Sequence, residues 1–535
     1  MERLHDACGV VGIYARPSGE PIDVRGYLTL ALTALQHRGQ ESAGMAVYTA
    51  DGNIVSRIRM GKVREVFSDT GTGLPETHCG IGHVRYSTTG SSCVENAGPF
   101  VVGAWRGHSE TIAVAHNGNL VNGEALRAQL PQGYLQSTTD SEAIALLLLH
   151  AEGPTLRERM QATLPLLQGA YSLVILAEGK LYAMRDPWGM RPLCLGRIGE
   201  HWIVASESCA FDRIGADILR EVAPGELITI DEQGMRTEIL ARKSRHSLCV
   251  FEYIYFSDAT SKLSDRYVYN VREALGRELA KEHPVQADLV VPVPDSSIPA
   301  ALGYSAASGI PYGQAIIKNR YSDRTFIKPD QRLRQLEVDL KFNMVKPKIA
   351  GKRLVIVDDS IVRGNTMKRL VAALRHQEVK EIHLRSSSPP LRHPCYFGID
   401  IPQEQELIAA GRTVDEIANY IGVDSLGYLS LPGLGCALAS VTETCTLSET
   451  EARAVLHSNF CYGCMDTAGW PFNPAQARNI APQTITNLPP DIINPPPNVI
   501  LSAAKDLKPS LARQSERETL RSAQDDMQAA TEEVR

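Results

Sequence analysis

Nothing in this 535-residue chain is apolar for long enough to cross a bilayer: its most continuous run, Ala143–Leu149, falls far short of the ~20 residues a spanning helix needs. The opening segment Met1–Ala7 (MERLHDA) lacks the apolar centre of a secretory signal, so the expected compartment is the cytoplasm. Positive charge is scarce as well. A formal net charge of -6 and an isoelectric point near 6.2 supply no broad field for a nucleic-acid backbone or an anionic membrane, which leaves small molecules as the expected partners. The 11 cysteines are odd in number and scattered, which excludes a secreted disulfide scaffold and implies that most are reduced. No internal repeat is visible. What is present is ordinary globular material, 43% hydrophobic and 22% charged, in a length that suggests roughly two or three domains.

The first part of the chain reads as short strands over Val10–Ala15, Met45–Ala50, Gly80–Ser87, Thr111–Ala115, Ser172–Ala177 and Trp202–Ser206. Helices are predicted over Tyr27–Leu35 and Asp140–His150, which fits packed sheets flanked by helices. The polar, basic stretch Leu240–Ser247 (LARKSRHS) marks a boundary. Beyond it, buried strands at Asp288–Val293, Arg353–Val357 and Glu381–Leu384 alternate with helices at Tyr267–Lys281 and Thr366–His376, the texture of a parallel α/β sheet. From Pro471 the proline-rich NLPPDIINPPPNV and a charged, aromatic-poor stretch cannot bury much surface. The expected division is a leader 1–7, a first domain 8–240, a second domain 248–470 and an unpacked tail 471–535 without chemistry.

Cys8 stands in HDACGVVGIYA, directly before a strand. With the preceding residues removed it carries both a thiol and an α-amine, whose ordinary pKa of about 7.7 to 8.0 suits a general base for the adjacent thiol. Alone, a cysteine before an apolar run reads as a small buried residue. It is followed, however, by LQHRGQESAGMA (Leu35–Ala46), GHVRYSTTG (Gly82–Gly90), AHNGNL (Ala115–Leu120), STTDSEA (Ser137–Ala143), DPWGMRPL (Asp186–Leu193) and ASES (Ala205–Ser208). This ordered set resembles the N-terminal-nucleophile glutaminase domain. The resemblance implies an αββα sandwich in which Cys8 attacks the glutamine side-chain amide and forms a thioester. It implies further that Arg85 binds the α-carboxylate, Asp140 the α-ammonium, and Asn117 with the Gly118 backbone N–H the oxyanion, while Arg38 lines the glutamine pocket. Taken singly these residues have plainer readings: Arg85 a surface ion pair, Asn117-Gly118 a turn, Asp140 a helix N-cap.

In the second part, GKRLVIVDDSIVRGNTMKRLVAAL (Gly351–Leu374) is an apolar strand, two acids, a short loop and a helix. Backbone N–H groups from Ser360 to Thr366 can cradle a phosphate, with Gly364 permitting close approach, and Asp358 and Asp359 would sit at the strand end where open α/β sheets bind ligands. An Asp-Asp strand end alone also occurs in phosphorelay receivers and in metal-dependent enzymes. The longer string resembles the phosphoribosyl pyrophosphate (PRPP) loop of type I phosphoribosyltransferases, and VDDSIVRG resembles the amidophosphoribosyltransferases in particular.

That resemblance assigns Asp358, Asp359, Ser360, Arg363, Gly364, Asn365 and Thr366 to PRPP. In VPVPDSSIPAALGY (Val291–Tyr304) it points to Ser296, which with both acids would place Mg2+. In IKNRYSDRTFIKPDQRLR (Ile317–Arg334) it reads Lys318, Arg320, Arg324 and Lys328 as a basic loop over the ligand, where the plainer reading is a solvated loop. Two departures stand out. Asn365 occupies a position where the family usually has Thr, which is expected to alter detail without loss of binding, and FSDATSKL (Phe256–Leu263) replaces the common Phe-Ala-Arg-Pro-Asp-Ser, so coupling between the sites is expected to differ.

Cys461-Tyr-Gly-Cys464 is half a metal site, and by itself is equally a redox pair or incidental. By resemblance, Cys249 and Cys395 supply the other two ligands of a 4Fe-4S cluster, with zinc on the same thiolates as the alternative. Cys79, Cys93, Cys194, Cys209, Cys436 and Cys445 read as small core residues. The resemblance as a whole implies an enzyme that passes ammonia from glutamine to C1 of PRPP in the opening step of purine biosynthesis. It brings with it an internal ammonia path, purine nucleotides as feedback inhibitors and a homo-oligomer, dimer or tetramer. A glutaminase fused to another synthase is disfavoured by the VDDSIVRGNT loop; a silent nucleotide-binding relative is disfavoured by Cys8, Arg85, Asn117 and Asp140 standing together.

Overall fold

The computed structural model describes residues 8–67, 72–86, 91–103, 110–130, 133–243, 245–319, 342–401, 403–440, 445–478 and 480. The strand Gly9–Tyr14 is buried along its whole length, as its unbroken apolar sequence requires, and lies in the middle of a seven-stranded antiparallel sheet between His201–Ala205 and Cys79–Arg85. A second antiparallel sheet of six strands has Gly169–Ala177 and Ile112–Leu120 near its centre. Val10, Tyr14 and Ile81 of the first sheet meet Val174, Leu181 and Ile228 of the second in one core. The helices Val24–Ala34 and Cys209–Ile214 cover the outer face of the first sheet, and Asp140–His150 packs on the second. This is the αββα sandwich that the sequence implies.

The strand predicted over Thr111–Ala115 runs on to Leu120, so Asn117 and Gly118 are strand residues and not a turn. Their neighbour decides this: Gly169–Ala177 pairs with the strand along its whole length, placing Asn117 opposite Ser172 and Gly118 opposite Tyr171. Pairing with a long buried strand outweighs the turn preference of an Asn-Gly dipeptide.

The second part carries a four-stranded parallel sheet, Leu289–Pro292, Arg353–Asp358, Glu381–Ser386 and Ser425–Tyr428, ordered as in the chain. Successive strand residues serve opposite faces. Val290, Val355 and Val357 join a core with Leu275 and Leu279, whereas Val291, Leu354 and Ile356 join one with Leu370 and Leu374. A sheet covered on both sides explains why these strands read as continuous apolar runs. Among the described residues no helix is long and apolar enough to cross a membrane.

Two expectations are corrected. Packing does not stop at residue 470: Phe472 lies against Phe397 with ring centroids 5.2 Å apart, Pro474–Ala477 forms a short helix, and the carbonyl of Ile480 accepts from Asn122 Nδ2 at 3.3 Å. An aromatic ring at the head of the polar stretch is enough to anchor it. Cys436 and Cys445, read as separate core residues, are joined in a disulfide that links the helix Leu431–Ala439 to the segment before Glu449–Asn459. Residues 1–7, the tail from 481 onward and the basic positions Arg320, Arg324 and Lys328 lie outside the described residues.

Candidate functional site

Cys8 enters the first sheet directly ahead of Gly9, which pairs with Val84, so strand register alone sets Arg85 beside the thiol. Cys8 is buried and its Sγ–H points to the carbonyl of Tyr86 at 3.7 Å. Burial pushes this thiol up, and the charge of Arg85 offsets only part of that. Such a thiol needs a base to become a nucleophile.

Asn117 projects from the second sheet, is fully buried, and has no hydrogen-bond partner for either atom of its amide among the described residues. An unmet buried amide costs roughly 1–3 kcal/mol, so the pairing with Gly169–Ala177 holds a polar group in place against that cost. Gly118 admits no other residue, because a Cβ there would stand 2.0 Å from the Ala170 carbonyl oxygen.

Asp140 opens the helix Asp140–His150, but the N-cap is Thr139, whose hydroxyl accepts from Glu142 N. The carboxylate of Asp140 instead accepts from Leu120 N at 2.8 Å, which ties the helix to the end of the Asn117 strand. Two buried histidines brace the same region. His83, two residues before Arg85, donates Nε2–H to the carbonyl of His116 at 3.1 Å, and burial pushes its ring down to about 3, so it is neutral. His116 reaches Ser141 through Nδ1 at 2.9 Å.

Arg38, which the resemblance sets at the glutamine pocket, is buried among carboxylates beside Cys8. Its guanidinium forms a bidentate pair with Glu252 at 2.9 and 3.0 Å, also meets Glu207, and donates Nε–H to the carbonyl of Cys8 at 3.2 Å. Arg38 thus ties the backbone of Cys8 to two buried carboxylates. The reason is long-range: Glu252 arrives from beyond the first domain, which local sequence around Arg38 does not reveal.

In the parallel sheet, Asp358 and Asp359 close the strand Arg353–Asp358. Asp359 is buried and accepts from the hydroxyls of Ser296 and, at 2.7 Å, Ser360; Asp358 accepts from Ser297 at 3.3 Å. Gly364 at φ 80° turns the chain into the helix Asn365–His376, whose first N–H groups face the loop. A partly open cavity lies here, lined by Asp358, Asp359, Ser360, Gly364, Thr366 and, from another segment, Tyr255. Asn365 accepts from the hydroxyl of Tyr420 at 2.7 Å. Arg363 turns to Glu406 and Lys318 to Asp295, each in an ion pair of 2.7–2.8 Å, so neither is directed at the cradle by these contacts.

Cys249 and Cys461 are register partners in a two-stranded parallel ladder. Arg392 and His393 both donate to the carbonyl of Cys464, which brings in Cys395, whose Sγ accepts from Phe397 N at 3.3 Å. Burial pushes the thiol of Cys464 up, and the charges of Cys395, Cys249 and Cys461 add to it. Among the described residues the one trio of ligand atoms lying within 4.8 Å of one another is His37, Glu207 and Cys209. The four sulfurs are therefore spread more widely than the roughly 3.8 Å spacing that tetrahedral thiolates at ~2.3 Å from zinc would require. The trio itself is an ion-pair core, since Glu207 is already bonded to His37, Arg38 and Ser261.

Residues 99–213 match a family model for a glutamine amidotransferase domain, and residues 264–387 one for a phosphoribosyl transferase domain. The amidophosphoribosyltransferase of Methanothermobacter thermautotrophicus is 44% identical over 468 residues, covering 86% of this chain and 94% of that protein. The chain belongs to the amidophosphoribosyltransferase family. The mouse member is also 44% identical, over 81% of this chain and 89% of its own. The glutamine PRPP amidotransferase of B. subtilis, solved with ADP and GMP, superposes with a TM-score of 0.77 at 40% identity, covering 86% of this chain and 96% of that one.

The sequence assigned Cys8, Arg85, Asn117, Gly118 and Asp140 to one site, and strand register sets Arg85 beside Cys8. Sequence reasoning missed His83, His116, Glu207, Arg191 and Glu252. The two histidines sit inside quoted motifs and were legible there, whereas a buried carboxylate such as Glu252 carries no local signal at all.

Proposed function

We infer that this chain hydrolyses glutamine at Cys8 and delivers the ammonia to C1 of PRPP, releasing pyrophosphate and 5-phosphoribosylamine. The observation that carries this reading is the presence, in one chain, of a buried cysteine set beside Arg85 by strand register, a buried asparagine amide without a partner, and an acidic loop lining a cavity at a parallel-sheet end.

Once residues 1–7 are removed, the Cys8 amine takes the thiol proton as sulfur attacks the amide carbon. Asn117 and the Gly118 N–H receive the oxyanion, donors typically worth about 3 kcal/mol each. The amine then protonates the departing nitrogen, and water cleaves the thioester. Arg85 and Asp140 hold the two charged ends of glutamine. At the second site the loop Ser360–Thr366 receives the 5-phosphate and the two acids hold the ribose hydroxyls. Ser296, Asp358 and Asp359 supply the oxygen donors that suit Mg2+, and the ion would stabilise charge on departing pyrophosphate. Purine nucleotides as inhibitors and a homo-oligomeric assembly belong to the same reading.

Cys249, Cys395, Cys461 and Cys464 offer the four thiolates that a cluster needs, and we assign them a 4Fe-4S group that clamps the C-terminal segment, since the transfer moves no electrons. Protein purified without oxygen is expected to hold about four irons per chain by elemental analysis; stoichiometric zinc without iron would remove the cluster. The activity itself is tested by supplying glutamine and PRPP together and measuring glutamate and pyrophosphate, which should appear in equal amounts. Glutamate without pyrophosphate would mean a different acceptor.

A further inference from the structure

We infer that Glu252 is the positioning residue through which the second part of the chain holds both components of the glutaminase site. This rests on the function proposed above. Glu252 starts a single π-type turn, Glu252–Phe256, and its carboxylate is fully buried. One oxygen accepts from Arg38 at 2.9 Å and Arg191 at 3.1 Å, the other from Arg38 at 3.0 Å and Ser257 Oγ at 2.6 Å. That fills its capacity as an acceptor.

Each arginine carries the hold onward. Arg38 grips the carbonyl of Cys8 at 3.2 Å. Arg191 donates to the carbonyl of Phe397 at 3.0 Å, and Gly398, the next residue, lies so close to the oxyanion strand that a Cβ on it would stand 2.9 Å from the Gly118 carbonyl carbon. Asn119 fastens the same contact by donating to the carbonyl of Tyr396 at 2.9 Å. One carboxylate thus fixes the nucleophile from one side and the backing of the oxyanion donors from the other.

The far side of the turn reaches the second site. Tyr255 lines the cavity at Asp358 and Asp359, and Arg272 grips the carbonyls of Tyr253, Tyr255 and Ser257 at 2.8–2.9 Å. Glu252 and Glu207 face Arg38 and Arg191 in balance, so removing one carboxylate leaves buried positive charge that must move. A shift of the nucleophile by about 1 Å costs on the order of a hundredfold in rate.

The test uses the full-length, metal-loaded protein. Glu252→Gln should lower kcat with glutamine by about a hundredfold while KM for glutamine stays within about twofold, because Arg85 and Asp140 do not bond to Glu252. Ammonia-dependent synthesis should fall far less than the glutamine-dependent rate, and alkylation of Cys8 by a glutamine analogue bearing a chloroketone should slow in parallel with kcat. Glu252→Asp, which keeps the charge, should recover part of the loss. If Glu252→Gln fails to fold, the charge-neutral pair Arg38→Met with Glu252→Gln reads the same split. Equal loss of glutamine- and ammonia-dependent rates in a folded variant, or no loss in either, would overturn the inference. A wild-type protein inactive with both nitrogen donors would overturn the parent function instead, and Cys8 alkylation, which needs no PRPP, would still decide the role of Glu252.

Discussion

Cys8→Ala abolishes glutamine-dependent turnover, by at least on the order of ten-thousandfold, and leaves synthesis from ammonium salts within about twofold of the parent. The size of the first effect follows from covalent catalysis: without sulfur there is no thioester, and Asn117 and Gly118 have no tetrahedral centre to stabilise. The second follows from position, since Cys8 belongs to the antiparallel sandwich and the acidic loop to the parallel sheet. Glutamate release and pyrophosphate release, measured with each nitrogen donor, separate the two. Cys8→Ser should behave similarly, because a buried hydroxyl is a far poorer nucleophile than a thiol beside an amine. Parallel loss with both donors would sink the two-site account.

Asp359→Ala should have the complementary signature. Its carboxylate is buried, held by Ser296 and Ser360, and borders the cavity, so its loss removes a fixed charge where ribose and metal are proposed to bind. We expect PRPP-dependent synthesis to fall on the order of a thousandfold with glutamine and ammonia alike, the upper range for deleting one preorganised polar group. Alkylation of Cys8 by the chloroketone analogue should continue at a basal rate. Direct titration of PRPP by calorimetry checks the cause; unchanged affinity together with unchanged synthesis would remove Asp359 from the site.

Much of this was legible where local physics decides the outcome. The helix Asp140–His150 begins and ends where its sequence indicates because Thr139 caps it and an unbroken apolar run fills it. The strand Arg353–Asp358 was readable because both its faces are buried. Legibility failed where a distant partner overrides local preference. The Asn117-Gly118 pair reads as a turn until Gly169–Ala177 is placed beside it. Nothing around Arg38 announces its pairing with Glu252, and nothing near Phe472 announces that its ring will settle between Trp188 and Phe397. The cysteines divide the same way: Cys461 and Cys464 advertise themselves by spacing, whereas Cys249 and Cys395 were reached only through family resemblance.

The ladder that pairs Leu248–Cys249 with Phe460–Cys461 sets the first residues of the phosphoribosyl part beside nearly its last. Entrance and exit of that part are therefore stitched to one another, so that loosening either end must also loosen the other.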